Sequence, residues 1–190
     1  MSAPLFPLFL RLEGRDVLVV GGGPVAAGKV RLLLESGARV KVVAPEVVPE
    51  IRASGVEVAL RPFRPADVAE AWLVVAAATP EVNRAVADAG EARNVFVNAV
   101  DDPASASAYT GGVVRRGGVL VAISTEGRAP ALAGLLREAV SSLLPDDVGR
   151  WVEEAEALRF RQRADGVPMA ARRPQLLTAL DALYARPEAS

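Results

Sequence analysis

The sequence has 190 residues, of which 51% are apolar, and a formal net charge of −1. A chain of this size can bury one core and a smaller appendage, and its near-neutral charge disfavours general attraction to nucleic acid or to a membrane surface. Cysteine and histidine are both absent, which excludes disulfides, thiolate nucleophiles and the commonest general base. With no leader-like start and no transmembrane-length apolar run, we expect a soluble, cytoplasmic protein.

The first half of the chain alternates short apolar runs with longer amphipathic segments. Apolar residues at helical spacing predict helices at 24–36 and 80–93, each with a proline at its start. Strands that alternate with helices are typical of a parallel, doubly wound sheet, so we predict an α/β fold of the Rossmann type. The predicted strands lie at 17–20, 40–44, 56–60, 73–78 and 96–100.

The pattern changes after "NAVDDP". Two strands at 113–116 and 119–124 are separated only by "GG", which predicts a hairpin instead of a crossover. A strongly apolar helix is predicted at 130–144, and two further helices at 150–163 and 174–185. We therefore predict three domains: a dinucleotide-binding domain (1–111), a dimerisation region (112–148) and a C-terminal helical region (149–190).

The stretch "VLVVGGGPVAAGKV" places a glycine turn between the first strand and the first helix. Its Gly-x-Gly-x-x-Ala spacing is that of a dinucleotide fingerprint, in which glycines allow a tight turn and close approach of a pyrophosphate. The amides at the start of the helix would bind the phosphate charge. The same turn could also exist without a ligand, only to let helix and strand pack closely. The residues predicted to bind the cofactor here are Gly21, Gly22, Gly23, Pro24, Val25 and Ala26.

The end of the second strand lacks the acidic residue that usually binds the adenosine ribose. Ala44 and Pro45 stand in its place, and Glu46 comes one step late. Arg39 comes before this strand and not after it, so its position in the sequence is too early for a contact to a 2′-phosphate. Spacing alone therefore leaves the choice between NAD and NADP open, with Ala44 and Pro45 predicted to line the adenosine side.

The fourth and fifth strands end in small and polar residues, where ligands of open α/β sheets bind. Ala78 and Thr79 are small enough for a cofactor to lie close, and Asn98 and Asp101 follow on the nicotinamide side. In a chain without histidine a carboxylate is the natural proton acceptor, which favours Asp101. The alternative is that Asp101 and Asp102 only form a turn before proline.

The loop "STEGRAP" precedes the apolar helix and predicts an anion site. Ser124, Thr125 and Arg128, with the helix amides, could hold a carboxylate. Ordinary capping of the helix by Ser or Thr is the alternative. Arg115 and Arg116 in "VVRRGG" are candidate substrate contacts or solvated surface residues.

Together these motifs resemble one family. In order and spacing, "FPLFLRLEGRDVLVVGGGPVAAGKVRLLLESGARVKVVAPE", "NAVDDP", "AISTEGRAPALAGLLRE" and "LLPDDVG" resemble the motifs of precorrin-2 dehydrogenases, which are relatives of the N-terminal half of siroheme synthase. The resemblance covers residues 5–150 closely.

The resemblance implies NAD-dependent oxidation of precorrin-2 to sirohydrochlorin by a homodimer. It also implies that Asp101, which matches the family's motif aspartate, serves the dehydrogenation. Some members insert ferrous iron as well, so a second, ferrochelatase activity stays open, and no resident metal is expected. A non-catalytic dinucleotide sensor is the alternative from another class, since it would need the glycine turn but not Asp101.

Overall fold

The computed structural model describes residues 4–185. The chain divides into two compact units. The first contains the described residues up to Thr110 together with Glu126–Arg128, and the second contains Gly111–Thr125 and the described residues from Ala129 onward. The three domains predicted from the sequence stay a prediction.

The first unit contains a sheet of five parallel strands in the order β3-β2-β1-β4-β5. Valine-rich runs form most of these strands, as is typical of parallel strands with both faces covered. The predicted α/β fold of the Rossmann type is confirmed. The strands are β1 (Asp16–Val20), β2 (Arg39–Ala44), β3 (Glu57–Leu60), β4 (Leu73–Ala76) and β5 (Phe96–Ala99).

Three helices belong to the first unit: α1 (Pro24–Glu35), α2 (Pro49–Ala53) and α3 (Pro80–Glu91). Each has proline in its first turn, where the missing amide costs no hydrogen bond. Short 3₁₀ turns follow at Pro65–Val68 and Pro103–Ser105. The sequence predicted α1 and α3 but not the five-residue α2, which is too short to show a helical period.

The two faces of the sheet bury alternate residues. Val17 and Val19 pack with α1 on one face, whereas Leu18 and Val20 pack with residues of α3 on the other. This alternation follows from the two-residue period of a strand. Because the strands are parallel, the carboxyl ends of β1, β4 and β5 lie together at one edge of the sheet.

The second unit begins with an antiparallel hairpin of β6 (Gly112–Arg116) and β7 (Val119–Ile123). Its two turn glycines both have positive φ, at 51° and 81°, as a two-residue hairpin turn requires. Three helices follow: α4 (Pro130–Leu143), α5 (Val148–Ala164) and α6 (Met169–Ala185). No helix among residues 4–185 is long and apolar enough to cross a membrane.

The last helix begins earlier than predicted. The sequence placed its start at Pro174, but α6 begins at Met169 and contains Pro174 in its interior. The buried Gln162 of α5 explains how this part of α6 is held, because its Nε2 donates to the Arg172 carbonyl (3.2 Å) and to Gln175 Oε1 (2.9 Å). These tertiary contacts outweigh the hydrogen bond that proline cannot make.

Candidate functional site

The glycine turn joins β1 to α1 at the carboxyl edge of the sheet. Gly21 has φ 128°, and a Cβ there would lie 2.2 Å from the Ala77 carbonyl oxygen. At Gly22 a Cβ would lie 1.7 Å from the Glu46 carbonyl oxygen, and the Gly22 carbonyl accepts a hydrogen bond from the Val48 amide (2.8 Å). The turn is thus pressed between the segments that follow β2 and β4, and side chains at these two positions are excluded.

Gly23 differs from the two glycines before it. No atom lies within 4 Å of the position of its Cβ, and it caps α1 without a side-chain hydrogen bond or an acidic residue in the first turn. Because Pro24 has no amide, the first-turn amides next in line for a ligand are those of Val25 and Ala26. An open, uncapped helix start of this kind fits a pyrophosphate. Ala26 is fully buried and lets α1 pack on the sheet.

The adenosine side of the turn carries no carboxylate at the end of β2. Ala44 is buried, and the next residues, Pro45 and Glu46, are exposed. Arg39 binds Asp16 with both ends of its guanidinium, at 2.8 Å and 2.6 Å, at the amino end of the strand. The pairing of Arg39 with Asp16 gives no support to a role for Arg39 in binding a 2′-phosphate.

The loop after β4 is fixed by a residue that the sequence analysis missed. Asn83 is buried in α3. Its side-chain Oδ1 accepts a hydrogen bond from the Ala78 amide (3.0 Å), and its backbone amide donates to the Thr79 carbonyl (2.8 Å). The pKa of Glu81 is lowered by its own backbone amide and by the Thr79 hydroxyl. The sequence feature that could have indicated this role is the asparagine in "TPEVN", which comes soon after the end of β4. Ala78 and Thr79 are thereby held, exposed, at the edge of the sheet.

Asn98 at the end of β5 is buried, and both the nitrogen and the oxygen of its side-chain amide are hydrogen-bonded. Its Nδ2 donates to the Ala108 carbonyl (2.9 Å) and its Oδ1 accepts from the Thr110 hydroxyl (3.4 Å). The residue therefore fixes the loop that follows Asp101. Its predicted contact with the cofactor stays a prediction.

Asp101 and Asp102 differ in backbone and exposure. Asp101 is exposed and has φ 57°, a left-handed conformation that aspartate adopts more readily than most residues. Asp102 is half-buried and precedes the 3₁₀ turn without a side-chain cap. A turn explains the backbone of this pair, but the exposed carboxylate of Asp101 is left available for chemistry.

Lys29 is the second residue that the sequence analysis missed. It lies on α1 and its Nζ donates to the Thr110 hydroxyl at 2.8 Å. Burial lowers the pKa of Lys29, and the negative charge of Asp101 opposes that shift. The contact joins residues 81 positions apart, so no local pattern could predict it.

Of the predicted anion loop, residues 126–128 belong to the first unit. Gly127 packs on Pro103 and Tyr109, and the Tyr109 hydroxyl donates to the Pro103 carbonyl (2.9 Å). Arg128 pairs with Glu126 at 2.8 Å. The structure thus brings Arg128 to the turn that follows Asp101 and Asp102.

The remaining predicted substrate residues belong to the second unit. The Thr125 hydroxyl accepts a hydrogen bond from the Ala129 amide (3.2 Å), which is the local capping role considered as the alternative. Arg115 is exposed. Arg116 donates to the Leu144 carbonyl and lies 3.3 Å from both Ser141 Oγ and Asp146 Oδ1, so it stabilises its own unit. Ser124 lies at the end of the hairpin, and its substrate contact stays a prediction.

A concavity of about 660 Å³ lies at the opposite, amino edge of the sheet. Most of its charged residues are paired: Asp16 with Arg39, Lys41 with Glu57 and Asp67 with Arg61, each at 2.6 Å. The pKa of Asp67 is lowered mainly by its hydrogen bond to Arg61. Size alone does not make this concavity the site, because the glycine turn and the exposed carboxylate lie at the other edge.

Comparison with known proteins identifies the first unit. Residues 8–112 match a family described as "Putative NAD(P)-binding". The chain belongs to this family. The match spans the whole sheet and the glycine turn, which confirms the dinucleotide prediction made from that turn.

Relatives extend the comparison over most of the chain. It is 43% identical to siroheme synthase 1 of Aeromonas salmonicida (strain A449) and 40% identical to siroheme synthase of Salmonella arizonae, each over 172 residues, or 88% of this chain. The chain spans only 37% and 38% of those relatives. The structure of SirC, a precorrin-2 dehydrogenase, matches with a TM-score of 0.69 and 25% identity over 92% of this chain and 88% of that one. The family resemblance of the sequence motifs is confirmed.

The open space at Gly23 generates a test of the cofactor site. Gly23→Ala should leave the fold intact, because its φ of −84° suits alanine and its Cβ meets no atom. The methyl group would occupy the room needed by a pyrophosphate, so we expect the Kd for NAD, measured by calorimetry, to rise about tenfold or more. Unchanged affinity together with an unchanged Tm would contradict this placement of the dinucleotide.

Proposed function

We propose that the protein is an NAD-dependent precorrin-2 dehydrogenase that oxidises precorrin-2 to sirohydrochlorin in siroheme synthesis. The observation that carries the proposal is the likeness to SirC over 92% of the chain. It is supported by an open glycine turn and an exposed carboxylate within one compact unit. The expected cytoplasmic location stays a prediction.

The cofactor proposed is NAD, bound at the glycine turn and along the ends of β2 and β4. The turn would hold the pyrophosphate, with Ala44 and Pro45 on the adenosine side and Ala78 and Thr79 beside the nicotinamide. When bound, NAD supplies the hydride acceptor of the reaction. The firm anchoring of the loop after β4 by Asn83 keeps this surface in one shape before any ligand arrives.

Asp101 is the proposed catalytic residue. The oxidation removes a hydride and a proton from the macrocycle, so the protein must offer a group that accepts the proton. With no histidine or cysteine in the chain, the exposed carboxylate after β5 is the suitable acceptor. The hydrogen bonds of Asn98 to Ala108 and Thr110 would keep the following loop from covering it.

Precorrin-2 carries eight carboxylates, which suits an arginine-rich protein of nearly neutral net charge. Arg128 keeps a largely exposed guanidinium beside the turn after Asp101. Arg115 is also exposed, and Ser124, Thr125 and Arg116 complete the proposed substrate contacts. The guanidinium of Arg116 has three partners in its own unit, which a substrate carboxylate would have to displace.

Iron insertion is proposed as secondary to dehydrogenation. Ferrous iron would be a substrate, and Asp101 would have to handle it without help from histidine, since the chain has none. A non-catalytic dinucleotide sensor, the alternative from the sequence, finds no support among the relatives.

Removing the proposed proton acceptor separates an enzyme from a sensor. Asp101→Asn preserves side-chain volume and tolerates φ 57°, so the fold and the affinity for NAD should stay within about twofold of the wild type. Loss of the proton acceptor should lower kcat for precorrin-2 by about a hundredfold or more, measured anaerobically from the absorbance of NADH and sirohydrochlorin.

The neighbouring carboxylate provides the matched control. Asp102→Asn should lower kcat by less than about tenfold, because Asp102 is half-buried in the turn. Wild-type turnover in Asp101→Asn would contradict the proposal, and equal losses in both variants would remove the assignment to Asp101.

We also propose that the protein is a homodimer through the region 112–148. In α4, all of whose residues are described, Ala133 is the one buried side chain. Leu135 and Leu143 are 64% and 79% exposed, and Leu132 and Leu136 add to the same apolar surface. Such a surface is typical of a protein interface.

Leu135→Arg tests the dimer. A charge buried at the centre of an apolar interface should weaken self-association by about a hundredfold or more, measured by sedimentation equilibrium. Leu60→Arg is the control, since Leu60 is 53% exposed on β3 outside the proposed interface, and it should associate as the wild type does. A monomeric wild type at micromolar concentration would refute the proposal.

A further inference from the structure

Lys29 lies on α1, the helix that begins at the glycine turn. It is half-buried, and its Nζ donates to the Thr110 hydroxyl at 2.8 Å. A lysine is costly to bury and orders a long side chain, so a half-buried ammonium with one defined partner indicates a specific placement.

The contact continues from Thr110 into the end of β5. The Thr110 hydroxyl donates to Asn98 Oδ1 (3.4 Å), and Asn98 Nδ2 donates to the Ala108 carbonyl (2.9 Å). Asn98 is 5% exposed. This polar chain therefore connects α1 to Asn98 at the end of β5, three residues before the proposed catalytic carboxylate of Asp101.

The charge balance also points to Asp101. Among the described residues, the acidic group that acts on Lys29 is Asp101, whose negative charge partly offsets the effect of burial on the pKa of the lysine. The other charged groups near this turn are Asp102, Glu126 and Arg128. The last two form an ion pair, with 2.8 Å between Arg128 Nη2 and Glu126 Oε2. The second lysine of the chain, Lys41, pairs with Glu57 at 2.6 Å on the other side of the sheet.

We propose that Lys29 is the positioning residue of the Asp101 site: its ammonium, anchored on Thr110 and through it on buried Asn98, attracts the Asp101 carboxylate and fixes its direction at the edge of the sheet. This inference rests on the proposed function for its catalytic meaning. No bond to Lys29 would form or break: NAD, when bound, would supply the hydride acceptor, Asp101 would accept the proton, and Lys29 would hold the Asp101 carboxylate in place. A carboxylate on an exposed turn gains most from such an anchor, since small misplacement of a reacting group is costly.

The pairing itself is tested without any turnover. Because the chain has two lysines, protein labelled with ¹³Cε-lysine gives two signals, and Lys41→Arg assigns them. The Lys29 signal should titrate below the ordinary range of lysine, and Asp101→Asn should lower its midpoint further, since the opposing negative charge is removed. Asp88→Asn, a change on the exposed side of α3, should leave it unmoved. An identical midpoint in wild type and Asp101→Asn would overturn the inference.

The positioning role is tested by kinetics. Lys29→Gln keeps a donor for Thr110 but loses the charge, so kcat should fall about tenfold or more while KM for NAD stays within about twofold. Lys29→Arg should restore most of kcat, and Lys41→Gln should match the wild type. Wild-type kcat in Lys29→Gln, or equal impairment in Lys29→Arg and Lys29→Gln, would overturn the positioning role. If the wild type itself shows no turnover, the proposed function fails, and the lysine titration still decides whether Lys29 and Asp101 are coupled.

Discussion

A side chain at position 21 would have to share space with the Ala77 carbonyl, 2.2 Å from where its Cβ would lie. This close approach of the turn to the segment after β4 sets the position of α1 relative to the sheet. It also decides where the uncapped start of α1 is, and therefore where a pyrophosphate can bind. Within the first unit, the other parts of the proposed site, Ala78, Thr79 and Asp101, follow the strands that end at this same edge of the sheet.

The polar residues at that edge are mostly used to hold backbone. Asn83 fixes the loop after β4 and Asn98 fixes the loop after β5, and both are buried with a side-chain oxygen that accepts a hydrogen bond. Ala78, Thr79 and Asp101 are among the residues left exposed there, and they are proposed to face cofactor and substrate. A site with its supporting residues bonded in this way is pre-organised, so binding does not have to pay for ordering the loops.

Much of the fold could be predicted from the sequence because its signals are local. Short apolar runs, valine-rich in most cases, marked the five parallel strands, prolines marked the starts of α1 and α3, and adjacent glycines marked the hairpin. The five-residue α2 is too short to show a helical period, and the early start of α6 at Met169 goes with tertiary hydrogen bonds from Gln162 of α5 to Arg172 and Gln175.

In the candidate site, too, some features follow from local sequence patterns and others depend on tertiary contacts. The glycine turn and Asp101 follow from motif and position on the strands. The link from Lys29 to Thr110 spans 81 residues, and the packing of Gly127 on Pro103 joins distant segments. Both depend on tertiary contacts that no local pattern encodes.

The most direct test of the account is the stoichiometry of a single anaerobic reaction. The purified protein would be mixed with a limiting amount of enzymatically made precorrin-2 and excess NAD or NADP, and reduced nicotinamide and sirohydrochlorin would be followed together. A precorrin-2 dehydrogenase that uses NAD should form one NADH for each sirohydrochlorin, with NAD preferred over NADP. Measurable binding of dinucleotide without turnover of precorrin-2 by either cofactor would contradict the proposed function.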